Sequence, residues 1–158
     1  MRKLLVIAAL GALGYYAYQH LLGPAEIVNP VFAEIRVNMS VGGREIEAAI
    51  FGKAVDDIDC RLRAERVKDN LEANCNYCVS KSIVCKASLA PRYARIFDDE
   101  PAGATYLSVN RSNHSERNVR VIRWGLTGAE GDRVCDQMKR VFAKIHSGPM
   151  QCVRGLAS

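Results

Sequence analysis

Residues 31–52 read VFAEIRVNMSVGGREIEAAIFG, and they carry the clearest structural pattern in the chain. From Val31 to Val41 the odd positions are apolar, while the even positions from Glu34 onward are polar. A period of two is typical of a strand with one buried face. Gly42-Gly43 indicates a turn, after which the alternation resumes. The sequence therefore predicts a β-hairpin over residues 31–52 with one face in water.

Two amphipathic helices are predicted beyond this hairpin. The first begins after Asp56 and runs to about Asn74. Its apolar face comprises Cys60, Ala64, Val67, Leu71 and Cys75. The second begins at Thr127, which forms a capping box with Glu130, and it is stopped by the Ser-Gly-Pro run at 147–149. Its expected inward face comprises Val134, Met138, Val141, Phe142 and Ile145, with Cys135 on the flank.

Three more strands are expected between these helices. Alternation over residues 79–89 predicts one strand, which Pro91 breaks, and 98–101 is expected to be a polar loop. A second hairpin is predicted from strands at 104–111 and 118–126. The resulting order, ββαβββα and then a tail, predicts an α+β fold. We expect a mainly antiparallel sheet with two helices packed on one face, preceded by an N-terminal signal-anchor helix.

The first 22 residues carry the pattern of an export signal. Two cations at positions 2 and 3 precede an apolar run from Leu4 to Leu22, which only Gln19 and His20 interrupt. This length is close to the about 20 residues that a spanning helix needs, which favours a retained signal-anchor. The alternative is a cleaved signal peptide with its cut site near Ala12-Leu13-Gly14.

The rest of the chain divides into a short stalk and one domain. The stalk is residues 23–30, and residues 31–158 have the length of a single disulfide-stabilised domain. The formal net charge is +5, and from Ala102 onward nine basic residues stand against four acidic ones. Such a basic half suits anionic lipid, an acidic protein or a cell-wall polymer, and it also suits a plain solvated surface. No nucleic-acid partner is expected, because no groove-reading motif is present.

Six cysteines in an exported domain predict three disulfides. A continuous helix would separate Cys60 from Cys75 by about 22 Å, whereas a strand of about ten residues returns Cys85 to the level of Cys60. In the same way, the chain after the last helix can return Cys152 to the level of Cys135. The expected pairs are Cys60–Cys85, Cys135–Cys152 and Cys75–Cys78.

The Cys75-Asn76-Tyr77-Cys78 motif is the one sequence with a potential chemical role. A redox C-x-x-C pair opens a helix, where the dipole favours a thiolate, but this pair is predicted where a helix ends. A structural disulfide is therefore favoured over redox catalysis, and also over a zinc site that would add Cys85 as a third thiolate. The histidines are too scattered to suggest a ligand set. No catalytic residue, metal site or cofactor is predicted.

Arginine and tryptophan dominate binding hot spots, so the predicted protein interface comprises Arg111, Arg120, Arg123 and Trp124. We expect a bacterial inner-membrane protein that crosses the membrane once through residues 4–22 and exposes its domain in the periplasm. The domain is expected to be a protein-interaction module without enzymatic activity or a small-molecule substrate, and its partner is unidentified. One alternative is a soluble periplasmic or secreted inhibitor of the immunity type. The other is a thiol-disulfide oxidoreductase that uses Cys75 and Cys78.

Overall fold

Residues 26–156 are described by a computed structural model of the chain. The predicted signal-anchor at residues 1–22 lies outside the described residues. One antiparallel sheet with strand order β3-β1-β2-β5-β4-β6 organises the domain. Its strands are β1 (Val31–Val41), β2 (Arg44–Ala54), β3 (Cys78–Lys86), β4 (Tyr106–Val109), β5 (Val119–Trp124) and β6 (Met150–Val153). The α+β class and the first hairpin are confirmed.

Three helices accompany the sheet, namely α1 (Asp57–Asn74), α2 (Pro91–Ala94) and α3 (Gly128–Phe142). Local capping starts the two long helices as predicted, because the Asp56 side chain accepts the Asp59 N–H and Thr127 forms a capping box with Glu130. Within residues 26–156, none of the helices combines the length and the hydropathy that a membrane span requires.

The predicted element order was wrong in two places. β6 forms where a tail was expected, and α2 with a following 3₁₀ turn (Arg95–Asp98) forms between the break expected at Pro91 and the polar loop expected at 98–101. β6 has four residues and exists because it pairs with β4, so its own sequence is too short to show a period. The predicted ends of β3, β4 and β5 also extended beyond the observed strands.

The two faces of the sheet pack against different elements. On the helix face, Cys60 and Ala64 of α1 pack against odd-numbered residues of β1, and Cys135 of α3 packs against β4 and β5. The second face carries Phe51 and Tyr106, which pack against α2 and the 3₁₀ turn. The prediction that two helices share one face is correct, but the opposite face is covered as well.

The inward face of α3 also differs from the prediction. Val141 and Ile145 are 55% and 81% exposed, whereas Cys135, expected on the flank, is completely buried. The core-facing side chains are Cys135, Met138 and Phe142. The disulfide to β6 fixes this rotation, because Cys135 has to face Cys152.

The three expected disulfides are all present. Cys60 joins Cys85 with a Cα–Cα distance of 6.2 Å, and this bond connects α1 to the end of β3. The other two bonds are Cys75–Cys78 and Cys135–Cys152, with Cα–Cα distances of 5.3 and 5.9 Å. No free cysteine is present among residues 26–156.

Candidate functional site

A groove separates α1 from α3 on the helix face of the sheet. α1 covers β1 and β3, and α3 covers β4 and β6, so that part of the β2 and β5 surface lies between the helices. The groove has a volume of about 150 Å³. Ile50, Gly52 and Val119 contribute to its floor, while Val67 and Phe142 stand on its two sides.

Small residues create this groove. Gly52 lies opposite Ala33 on β1 and Val119 on β5, so the middle of the row has no side chain. The neighbouring wall of α1 is formed in part by Ala64, which is also short. A Cβ atom at Gly52 would lie 3.9 and 4.0 Å from its nearest neighbours, which are ordinary van der Waals distances. The groove therefore has room for an additional apolar side chain.

Two arginines and one carboxylate lie at one end of the groove. Arg63 and Arg117 line it, and both contact Asp59, with Nε–Oδ distances of 2.7 and 2.8 Å. Partial burial by itself would raise the pKa of Asp59, but hydrogen bonds from Arg117 and Arg63 outweigh it and lower the pKa to about 2. These three side chains together carry one positive charge.

The residue types in the groove lining indicate which ligand chemistry it matches. Among the described residues that form it, none offers a hydroxyl, an imidazole or a free thiol, because Cys60 is in a disulfide. An apolar floor beside a cationic end matches an apolar side chain that is followed by a carboxylate.

Arg120, a residue of the predicted interface, is a core residue. Its side chain is 1% exposed, and the guanidinium donates to the carbonyl oxygens of Ile96, Phe97 and Val109. It also lies 3.0 Å from the Asp99 carboxylate. Burial lowers the pKa of Arg120, and the charge of Asp99 opposes this. Arg120 therefore holds the 3₁₀ turn against the sheet and presents no surface to a partner.

The other predicted interface residues do not lie together. Arg123 pairs with Ala48 on the helix face, whereas Trp124 is on the second face, because successive strand residues alternate. The Arg123 Nε atom is buried without a hydrogen-bond partner in the described part of the chain, and burial lowers the pKa of this arginine. Arg111 lies in the loop after β4, where its N–H donates to Asn118. The structure brings no two of these four residues onto a common exposed surface.

Trp124 belongs to a polar and aromatic cluster that sequence reasoning missed. The Arg36 guanidinium carbon lies 5.2 Å from the centre of the Tyr93 ring and 5.4 Å from that of Trp124. Arg36 also donates to Glu34, Glu47 and the Tyr93 hydroxyl. Burial lowers the pKa of Arg36, but these hydrogen bonds raise it overall. Each nitrogen of this guanidinium already has a partner within the domain.

A second polar cluster joins the loop before β5 to the residues after α3. Glu116 accepts hydrogen bonds from the hydroxyls of Ser147 and Ser112 at 2.6 and 3.0 Å. His146 contacts the Asn110 carbonyl oxygen and lies 3.4 Å from Glu116. The two serines bond to the carboxylate and not to the imidazole, so the nucleophile–base contact of a hydrolase is not formed. Burial raises the pKa of Glu116, but hydrogen bonds chiefly from Ser147 lower it to about 2.

The Cys75–Cys78 disulfide lies between the end of α1 and the start of β3, as expected from the sequence. Cys75 is the residue at which α1 ends, and Tyr77 between the two cysteines is 58% exposed. Among the described residues, no group of three His, Cys, Asp or Glu side chains is arranged to hold a metal ion.

Comparison of the chain with protein-family models, curated proteins and solved structures finds no match. A functional interpretation consequently depends on the chain's own chemistry and geometry. Of the features described above, the groove between α1 and α3 is the one that offers unfilled apolar space next to charged groups.

Proposed function

We propose that the protein is a protein-interaction module of the bacterial envelope, tethered to the inner membrane by residues 4–22, with its domain in the periplasm. The groove between α1 and α3 receives an apolar side chain of the partner protein. The partner places a carboxylate next to that side chain, facing Arg63 and Arg117. The module acts by binding and carries out no reaction.

The groove is the observation that carries this proposal. Most of its lining residues are apolar, with Arg63 and Arg117 at one end, and it opens at the surface between two helices. Burying one Val, Leu, Ile, Phe or Met side chain contributes about 1.5–3 kcal/mol, so filling the groove would form the centre of a binding site. Interfaces of this kind have a buried apolar anchor and a polar rim.

The composition and the cysteines support an extracytoplasmic location. Three disulfides form and persist in oxidising compartments such as the bacterial periplasm. The apolar run from Leu4 to Leu22 is long enough for a span, and Glu26, the first described residue, follows it closely. The soluble-inhibitor alternative would use the same groove after removal of this N-terminal segment. The oxidoreductase alternative has less support, since its cysteine pair lies at the C-terminal end of a helix.

Site-specific photocrosslinking in the protein's own host tests the groove. Arg66 is exposed one turn beyond Arg63 on α1 and is replaced by a photoreactive amino acid. We expect one discrete adduct with another envelope protein. Gly52→Val should abolish the adduct, because the valine side chain would occupy the groove.

Gly103→Val provides the matched control. This glycine has no heavy atom within 4 Å of its Cβ position, does not line the groove and should leave the adduct intact. Equal crosslinking of the two valine variants, with both folded, would contradict the proposal. Mass spectrometry of the adduct should place the contact in a partner segment that contains an apolar residue next to Asp or Glu.

A further inference from the structure

The end of the sheet where the chain enters the domain also carries the end of α3. β1 begins at Val31, which lies opposite Ala54 at the end of β2. The antiparallel register places Val109, at the end of β4, beside Val119 and Met150 at that same end. Phe142, the last residue of α3, belongs to the same apolar cluster as these three residues. The stalk and the C-terminal end of α3 are therefore on one side of the molecule.

Exposed cations and exposed apolar side chains are mixed at this end. We define the basic end of α3 as Lys139, Arg140, Val141, Lys144 and Ile145, all of which are exposed. None of its three cations forms an ion pair with a carboxylate in the described part of the chain. The helix dipole accounts for cations in a last turn, but it does not account for Val141 at 55% and Ile145 at 81% exposure.

We infer that the basic end of α3 docks on the anionic lipid surface of the membrane that holds the chain. This inference rests on the proposed tether, because a tether at residues 4–22 turns this end of the domain toward the bilayer. The lysines and Arg140 would contact lipid phosphates, and Val141 and Ile145 would enter the interfacial region. Cations interleaved with aliphatic side chains are typical of helices that lie at a membrane interface.

Several acidic side chains elsewhere at this end are neutralised by cations or held by hydrogen bonds. The first turn of α1 is acidic, but Asp57 is paired with Arg61, and Asp59 with Arg63 and Arg117. Glu116, in the loop before β5, is bonded to serines and lies beside His146. Glu26 in the stalk and Asp56 before α1 form no ion pair among residues 26–156, but from Lys139 to Ser147 the chain carries three unpaired cations and no carboxylate.

Docking would orient the domain. A membrane contact at α3, together with a stalk that enters at β1, fixes two separate points of the domain relative to the bilayer. The groove between α1 and α3 would then be held at a constant orientation, and the partner would be one that lies close to the membrane surface.

The test uses the full-length chain inserted into lipid nanodiscs and hydrogen exchange of the backbone over residues 137–147. We expect slower exchange in nanodiscs that contain phosphatidylglycerol than in nanodiscs of phosphatidylcholine alone. The triple variant K139Q/R140Q/K144Q should lose this protection. Each cation contributes about fivefold near an anionic surface, so the three together should shift the docked population by on the order of a hundredfold at low salt.

The control variant R66Q/K81Q/R133Q removes three exposed cations that lie outside the basic end and form no ion pair with a carboxylate among residues 26–156. It should keep the protection, and high salt should remove it from the unaltered protein. An inserted chain with equal exchange in both lipids would overturn the inference. Failure of the chain to insert in either lipid would refute both the proposed tether and this inference. The photocrosslinking experiment tests the proposed partner site in the groove independently.

Discussion

A buried arginine connects the second face of the sheet to the 3₁₀ turn that covers it. Arg120 lies on a central strand and donates to four main-chain carbonyl oxygens, two of them in the 3₁₀ turn. Burying a charge is unfavourable unless hydrogen bonds and an opposite charge compensate, and here Asp99 and the carbonyls provide both. Removing the Arg120 side chain should therefore destabilise the fold, because the carbonyl oxygens and the Asp99 carboxylate would remain buried without a hydrogen-bond donor.

We predict that Arg120→Leu lowers the free energy of unfolding by about 3 kcal/mol, within the range for breaking a buried charge pair. Arg120→Lys should also destabilise the protein, because an ammonium cannot reproduce the planar set of donors. Urea denaturation of the variants would measure the loss. Arg133→Gln is the matched control, since that arginine is exposed and its change should stay within about 0.5 kcal/mol. A decrease in unfolding free energy of only about 0.5 kcal/mol for Arg120→Leu would contradict the role of Arg120 in holding the 3₁₀ turn against the sheet.

Asp59 should make the stability of the domain depend on pH. Its pKa is about 2 in the folded protein and 3.8 in an unperturbed group, so ionised Asp59 stabilises the fold above the unfolded value. This contribution is lost as the pH falls from about 4 through 2. We predict that the difference in unfolding free energy between the wild type and Asp59→Asn is about 2 kcal/mol at neutral pH and vanishes near pH 2. A difference that is constant from pH 7 to pH 2 would exclude this mechanism.

At the scale of elements, the three disulfides should differ in their contribution to stability. Cys60–Cys85 closes a separation of 25 residues and fastens α1 to β3, whereas Cys75–Cys78 closes a separation of 3. In the chain-entropy model a longer closed loop restricts the unfolded state more strongly. The short bond also connects two elements that already adjoin along the chain.

We predict that Cys60→Ala with Cys85→Ala lowers the free energy of unfolding by about 3.5 kcal/mol, and that Cys75→Ser with Cys78→Ser lowers it by about 2 kcal/mol. Chemical denaturation without reductant measures both decreases.

The second variant also distinguishes the oxidoreductase alternative from a purely structural role of the Cys75–Cys78 bond. Loss of a thiol-transfer activity without loss of folding would favour the oxidoreductase alternative, while a stability change alone favours a structural bond.

For the whole molecule, the groove and the basic end of α3 occupy the same half of the domain. Ala33, Gly52 and Val119 line the groove close to the end where β1 begins, and Phe142, which also lines it, follows Val141 of the basic end directly. A partner held in the groove would therefore be near the stalk. This arrangement connects the proposed tether, the lipid contact and the partner site through a single helix, α3.

The state of the N-terminal segment is tested by intact mass. We expect the protein from the membrane fraction of its own host to have the mass of all 158 residues, with no cysteine alkylated unless it is first reduced. A mass without the first residues, recovered in the soluble fraction, would favour the inhibitor alternative. Alkylation of most cysteines before reduction would contradict export into an oxidising compartment.

Local sequence patterns were sufficient to predict much of the fold. The hairpin at residues 31–52 follows from side-chain alternation, and the starts of α1 and α3 follow from Asp56 and Thr127. The disulfide pairing could be predicted as well, because helix rise and strand length limit which cysteines meet. Each of these properties depends on residues close in sequence or on the reach of the chain between them.

The remaining features depend on which surfaces meet in three dimensions. β6 is a strand because β4 is its neighbour, Arg120 is buried because α2 and the 3₁₀ turn cover its face, and the rotation of α3 follows from the Cys135–Cys152 bond. The groove is a space between two helices that pack on different strands. No pattern within a single segment of the sequence could therefore have predicted it. Sequence periodicity identifies the buried side of an element, whereas the element that covers that side, and the space left beside it, are set by long-range packing.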